Sequence, residues 1–123
     1  FKDYDIVGHI GYVQRFGNFE NREMPYKKYC DIIDAILKKV IADGKGIEVN
    51  TSGYRKGLKY PNPNFDIVKR YRELGGEIIT LGSDSHDATT IGDRFDIVKT
   101  KLKETGFTHV SYFEKRRPVF VKI

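Results

Sequence analysis

Asp84 and His86 stand two residues apart in Thr80-Leu81-Gly82-Ser83-Asp84-Ser85-His86, just past an apolar stretch that reads as a strand. In extended backbone, positions i and i+2 face the same side, so this carboxylate and imidazole can aim at one point beyond the strand end. An oxygen donor and a nitrogen donor together suit Zn²⁺, Mn²⁺ or Fe²⁺. A plainer alternative is an Asp that caps the next helix beside a surface His. Repetition favours the metal reading. His9 follows the apolar pair Ile6-Val7, and Asn50-Thr51-Ser52-Gly53-Tyr54-Arg55 closes the run that starts at Gly46. Three successive strands thus end in chemistry-capable residues, and two of the chain's three histidines are among them. Strand ends of one parallel sheet converge in space, which is how such residues come to share a site.

The elements that must hold these residues follow from periodicity. Asp3 to Gly8 reads as a first strand, followed by a polar linker up to Pro25. From Tyr26, the positions Tyr29, Cys30, Ile33, Ile36, Leu37, Val40 and Ile41 recur at helical spacing until Gly44. Gly46 to Asn50 reads as a second strand. Asn62 before Pro63 predicts a helix N-cap with proline in the first turn, and Phe65, Val68, Tyr71 and Leu74 form its inner stripe up to Gly75-Gly76. Glu77 to Leu81 is the third strand, and Ile91, Phe95, Val98 and Leu102 mark a third helix ending at Gly106. His109 to Phe113 and Val119 to Ile123 read as strands around a basic turn. Alternation of this kind predicts an α/β fold with a parallel sheet, either open and doubly wound or part of a (β/α) barrel. Both place their sites at the carboxyl ends of the strands.

Composition narrows the class. The 123 residues carry 22 Lys and Arg against 17 Asp and Glu, a formal charge of +5 spread along the chain, which suits a phosphorylated small molecule without calling for nucleic acid. No apolar run approaches the roughly 18 residues that span a bilayer, so no membrane partner is expected. The single Cys30 excludes an internal disulfide and, lying in a helical apolar stripe, reads as a buried structural thiol in a reducing, cytoplasmic setting. The start at Phe1 without an initiator Met reads as a piece of a longer chain.

The combination Asp5-Ile6-Val7-Gly8-His9-Ile10, Gly46-Ile47-Glu48-Val49-Asn50-Thr51-Ser52-Gly53-Tyr54-Arg55, Pro61-Asn62-Pro63 and Gly75 to His86 resembles the carboxyl-terminal half of histidinol-phosphatases of the PHP (polymerase and histidinol phosphatase) family. The resemblance runs through nearly all of residues 1–123. It implies a portion of a distorted (β/α)₇ TIM-like barrel, the PHP fold. It also implies a metal-dependent phosphomonoesterase that hydrolyses L-histidinol phosphate to L-histidinol and phosphate in histidine biosynthesis, with a cluster of up to three Zn, Mn or Fe ions. Carried over by motif, His9, Asp84 and His86 are metal ligands, with Asp84 and His86 also catalytic, and Arg55 resembles a phosphate clamp. Asn50 and Ser52 share a strand face from which they can hydrogen-bond substrate. Gly11 stands where many relatives carry an acidic residue. The family's amino-terminal His-x-His pair and further His and Glu ligands have no counterpart here, so the isolated chain is expected to hold an incomplete metal site and to be inactive alone.

Glu48 reads as a carboxylate that supports the site from the sheet, where a charge requires partners. His109 reads as structural, and Lys115-Arg116-Arg117 as a solvated turn. Two other functions fit the same motifs: a PHP-type phosphoesterase acting on nucleotides or nucleic acid, which the Asn50–Arg55 stretch disfavours, and a non-catalytic half-barrel that self-associates through open strand edges.

Overall fold

The computed structural model describes residues 2–16 and 24–123. Strands and helices alternate as β1 (Ile6–Val7), α1 (Cys30–Ala42), β2 (Gly46–Asn50), α2 (Ser52–Arg55), α3 (Phe65–Glu73), β3 (Ile79–Gly82) and α4 (Phe95–Glu104), followed by β4 (His109–Glu114) and β5 (Arg117–Lys122). β1, β2 and β3 lie side by side in chain order in one parallel sheet, with Val7 opposite Ile47 and Asn50 opposite Gly82. Parallel neighbours cannot be joined by a tight turn, and α1 and α3 supply the crossovers. The first strand is shorter than its predicted span. The polar linker contains a 3₁₀ turn at Tyr12–Phe16, and residues 17–23 of that linker lie outside the described residues.

One apolar cluster holds the helices against the sheet. Ile47, Val49 and Ile79 face Ile33, Leu37 and Val40 of α1, Ile67, Val68 and Tyr71 of α3, and Val98 and Leu102 of α4. Full burial of each aliphatic side chain contributes roughly 1.5–3 kcal/mol. The helical stripe is narrower than its periodicity implies: Tyr29 and Ile36 remain exposed, and Ile91 sits outside α4 with its side chain in solvent. Cys30 is half-buried at the first turn of α1, its Sγ 3.8 Å from the Asp31 carboxylate, rather than buried in the core. Tyr71 fixes α3 to the sheet, donating its hydroxyl to the carbonyl of Ile78 at 3.0 Å. Gly76 must pass close over that ring, where a Cβ would fall 2.3 Å from it.

Three local expectations are revised. The N-cap of α3 is Asn64, whose side chain accepts from the Ile67 N–H at 3.2 Å. Asn62 is occupied elsewhere, exchanging two backbone hydrogen bonds with Asn50 at 2.8 and 2.9 Å. The parallel sheet also ends at β3. Lys115 and Arg116 both adopt left-handed backbone, with φ of 48° and 66°, so the chain reverses at once and β4 pairs antiparallel with β5. That basic turn is not simply solvated: Arg116 forms ion pairs with Asp3 and with Asp5, the latter at 3.0 Å, tying the hairpin to the segment that leads into β1. Among the described residues no helix is long and apolar enough to cross a membrane.

α1 and α3 are also joined by charge. Arg70 forks onto both carboxylate oxygens of Asp34 at 2.6–3.2 Å, and Tyr26 donates to the same carboxylate at 2.8 Å. The Arg70 hydrogen bonds hold the Asp34 carboxyl well below its ordinary value, to about 2. A carboxyl whose pKa is depressed by folding adds stability above its unfolded value, and this is lost as pH falls through the folded value. The contribution is thus complete above about pH 4 and disappears toward pH 2. Asp34→Asn should flatten this part of the acid limb in pH-dependent urea unfolding, whereas an unchanged limb would mean that the pair does not hold the helices. Leu37→Ala, at a fully buried position, should cost roughly 2–5 kcal/mol in the same unfolding measurement.

Candidate functional site

The carboxyl ends of β1, β2 and β3 open onto a cleft of about 460 Å³ lined by Tyr12, Arg55, Lys56, Asp84, His86, Asp87 and Thr90. Tyr12 follows β1, Arg55 and Lys56 follow β2, and the rest follow β3, so the three strand ends do meet. A smaller cleft of about 240 Å³ lies at the other end of the strands, lined by Arg72, Glu77, Phe107, Thr108, His109 and Phe120. His109 there is exposed and shares a 2.8 Å hydrogen bond with Thr108.

Backbone strain marks the first and third strand ends. His9 has φ of 33° and Asp84 φ of 47°, the left-handed region that residues with a Cβ avoid. Glu48, central on the sheet, supports the first. Its Oε2 accepts the His9 backbone N–H at 2.9 Å and the Asn50 side-chain amide at 3.2 Å. The carboxylate occupies space beside β3 that only a glycine at position 82 leaves open. A Cβ at Gly8 would sit 3.5 Å from Oε2, and one at Gly82 would fall 1.9 Å from Oε1. The His9 ring packs tilted against Tyr12 with centroids 4.7 Å apart, beside the cleft rather than in its lining.

At the third strand end the Asp84 Oδ1 and His86 Nε2 stand 3.7 Å apart, and the His86 side chain is 90% exposed. Two donors at this separation can share one Zn²⁺ with bonds of about 2.0–2.2 Å. Capping of the next turn falls to Asp87, whose carboxylate accepts the Thr89 N–H and hydroxyl, both at 2.7 Å. Those bonds hold the Asp87 carboxyl below its ordinary value. Asp84 is therefore free of the capping role that was its plain alternative. Among the described residues, however, no three His, Cys, Asp or Glu side chains come together as a metal site, so the pair fits an ion only as part of a larger donor set.

Arg55 spans the second and third strand ends. Its Nη2 donates to the carbonyls of Ser83 and Asp84, the latter at 3.2 Å, and its Nη1 lies 3.5 Å from Asp93 Oδ2. Asn50 and Ser52 lie beneath the cleft, each 2% exposed, with the Asn50 side-chain oxygen accepting the Ser52 N–H at 3.0 Å. Tyr12, Lys56 and Asp93 escaped sequence reasoning. Lys56 adjoins the Arg55 motif and was within reach of it; Asp93 had no signal, because its role comes from a side chain 38 positions away.

The structure resembles, with a TM-score of 0.77 and 24% identity, a crystal structure of histidinol phosphate phosphatase from Lactococcus lactis complexed with Zn, L-histidinol and phosphate. That likeness covers 97% of this chain and 45% of the other, and establishes the fold. In sequence, a probable histidinol-phosphatase of Clostridium acetobutylicum is 38% identical over 112 residues, covering 91% of this chain. One from Thermotoga maritima is 32% identical over 113 residues, covering 92%. The chain is thus similar in sequence to histidinol-phosphatases over about nine-tenths of its own length. It spans less than half the length of these relatives, 43% and 46% respectively. No family model matches it.

Because Gly82 leaves the space that the Glu48 carboxylate fills, Gly82→Ala should displace that carboxylate and release the His9 N–H. The expected readings are a cost of about 1–3 kcal/mol in urea unfolding and a shifted His9 amide resonance in NMR spectra. An unmoved His9 resonance would show that Glu48 does not hold the first strand end.

Proposed function

We propose that these 123 residues are the carboxyl-terminal portion of a PHP domain in a metal-dependent phosphomonoesterase that hydrolyses L-histidinol phosphate to L-histidinol and phosphate. The observation that carries this reading is the single cleft in which Arg55, Lys56, Asp84 and His86 meet at the carboxyl ends of adjacent parallel strands. Similarity to histidinol-phosphatases over nine-tenths of the chain supports the substrate. The chain-order arrangement β1-β2-β3 with helical crossovers supports a segment of a (β/α)₇ barrel over a doubly wound sheet, whose strand order reverses at the ligand site.

In this reading Asp84 and His86, with His9, hold part of a Zn, Mn or Fe cluster of up to three ions, completed by donors outside these residues. Such ions lower the pKa of bound water and polarise the phosphoryl group. The chain's own residues supply the rest. Arg55 and Lys56 place positive charge beside the phosphate, Glu48 holds the His9 backbone, and Asn50 with Ser52 fixes the loop that carries Arg55. The +5 charge favours an anionic substrate, and histidine biosynthesis places the enzyme in the cytoplasm.

Phosphate release from L-histidinol phosphate decides the matter, measured with Zn²⁺ or Mn²⁺ on this chain joined to the amino-terminal segment of a full-length relative. Turnover is expected, and Asp84→Asn should lower it at least a hundredfold, a typical loss for a group acting directly at the reacting centre. Turnover unaffected by Asp84→Asn would exclude Asp84 from the site. Hydrolysis of phosphodiesters alone would replace the substrate class.

A further inference from the structure

We propose that Gln14 is a positioning residue, which fastens the turn after β1 to the loop after β2 and thereby sets where the His9 and Tyr12 rings stand at the cleft edge. The inference rests on the phosphatase reading for what that placement serves, while the fastening itself stands on geometry.

The turn needs support from outside. His9 and Gly11 both have positive φ, 33° and 89°, and the turn closes as the Tyr12 and Gln14 N–H groups donate to the carbonyls of His9 and Gly11 at 2.9 and 3.0 Å. Strained backbone of this kind persists only where its surroundings hold it. Glu48 holds one end through the His9 N–H at 2.9 Å. The other end runs into the 3₁₀ turn Tyr12–Phe16, and there the half-buried Gln14 side chain makes the connection. Its Oε1 accepts from two separate parts of the chain: the Met24 N–H at 2.8 Å, and the Tyr60 hydroxyl, 46 positions away, at 3.1 Å. An amide oxygen has two lone pairs, and both are used.

Both partners are fixed by the rest of the fold. The Met24 carbonyl accepts from the Asn64 side-chain amide at 3.1 Å, and Asn64 caps α3. The Tyr60 carbonyl passes so close to α2 that a Cβ at Gly53 would fall 2.5 Å from it. Gln14 therefore ties the turn to two anchored points. Room for its amide comes from Gly11, where a Cβ would fall 2.4 Å from the Gln14 Nε2 and 3.3 Å from the Met24 Cε. A side chain at position 11 would have to push the amide aside, so glycine is required there for its space as well as for its φ. What the tie carries is the aromatic pair. Tyr12, two residues before Gln14, lines the cleft and packs on the His9 ring with centroids 4.7 Å apart, so a shift of the turn moves both rings.

The test follows the His9, Tyr12 and His109 ring resonances by NMR in chain carrying ¹³C-labelled His and Tyr. Gln14→Leu, which removes the acceptor, should shift the His9 and Tyr12 signals and leave His109, at the far end of the strands, unmoved. Gln14→Glu keeps an acceptor oxygen and should return them close to their original positions. Tyr60→Phe should move them in the same direction as Gln14→Leu, by less. His9 and Tyr12 signals unmoved by Gln14→Leu overturn the proposal, as does a Gln14→Glu variant shifted as far as Gln14→Leu. If Gln14→Leu displaces His109 too, Tyr60→Phe decides alone, and rings that it leaves in place overturn the proposal. In the chain joined to the amino-terminal segment of a relative, Gln14→Leu should lower turnover of L-histidinol phosphate about tenfold, the scale expected of a small misplacement. Undiminished turnover with shifted rings would overturn the link from placement to catalysis. A joined chain with no turnover before substitution sinks the phosphatase reading and leaves the fastening to be judged by the resonances.

Discussion

The arrangement of the site depends on a negative charge placed at the middle of a three-stranded sheet. Glu48 lies on β2 with Gly8 beyond the end of β1 on one side and Gly82 at the end of β3 on the other. A half-buried carboxylate requires hydrogen-bond donors, and the two it finds are neutral: the His9 backbone N–H and the Asn50 side-chain amide. Its bond to the His9 N–H turns the chain after β1 into the strained conformation that carries the imidazole. Gly82 is what makes this possible, because a methyl group at position 82 would occupy the space of the carboxylate.

The same logic extends outward from β2. Asn50 is tied three ways, by its side chain to Glu48 and to the Ser52 N–H and by its backbone to Asn62. This fixes the direction in which α2 leaves the sheet, and so where Arg55 can reach. Arg55 then bridges to the turn after β3 and on to Asp93, just before α4. A continuous set of charged and amide contacts thus runs across all three strand ends. Beneath it, the apolar cluster of Ile47, Val49 and Ile79 with α1, α3 and α4 keeps the strands in register. Stability and site geometry are separated by sheet face: residues 47 and 49 serve the core, and residue 48 serves the site.

Much of this was legible in the chain because it follows from short-range periodicity. The helical stripe of Ile33, Leu37 and Val40, the strand at Gly46–Asn50 and the glycine stops at positions 44, 75 and 106 all reflect local geometry that the residues impose themselves. The errors came where a residue has two possible partners. Asn62 before Pro63 has the form of a helix cap, but its backbone pairs with Asn50 and the cap moves to Asn64. Arg116 sits in what reads as a solvated turn, yet finds Asp3 and Asp5 more than a hundred positions away. Cys30 and Ile36 fit an apolar stripe whose outer edge no neighbouring element covers among the described residues.

By itself the sequence determined the alternation of elements and the placement of polar residues at three strand ends, since each depends on residue type and spacing within a few positions. Tertiary structure decided which of those residues meet. It set Asp84 and His86 3.7 Å apart, passed the capping role to Asp87, and left His9 against Tyr12. It also brought Arg55 to the backbone carbonyls of the third strand end. The physical reason is that a side chain's hydrogen-bonding capacity is finite. Which donors remain for a ligand is known only once every competing partner has been brought within reach.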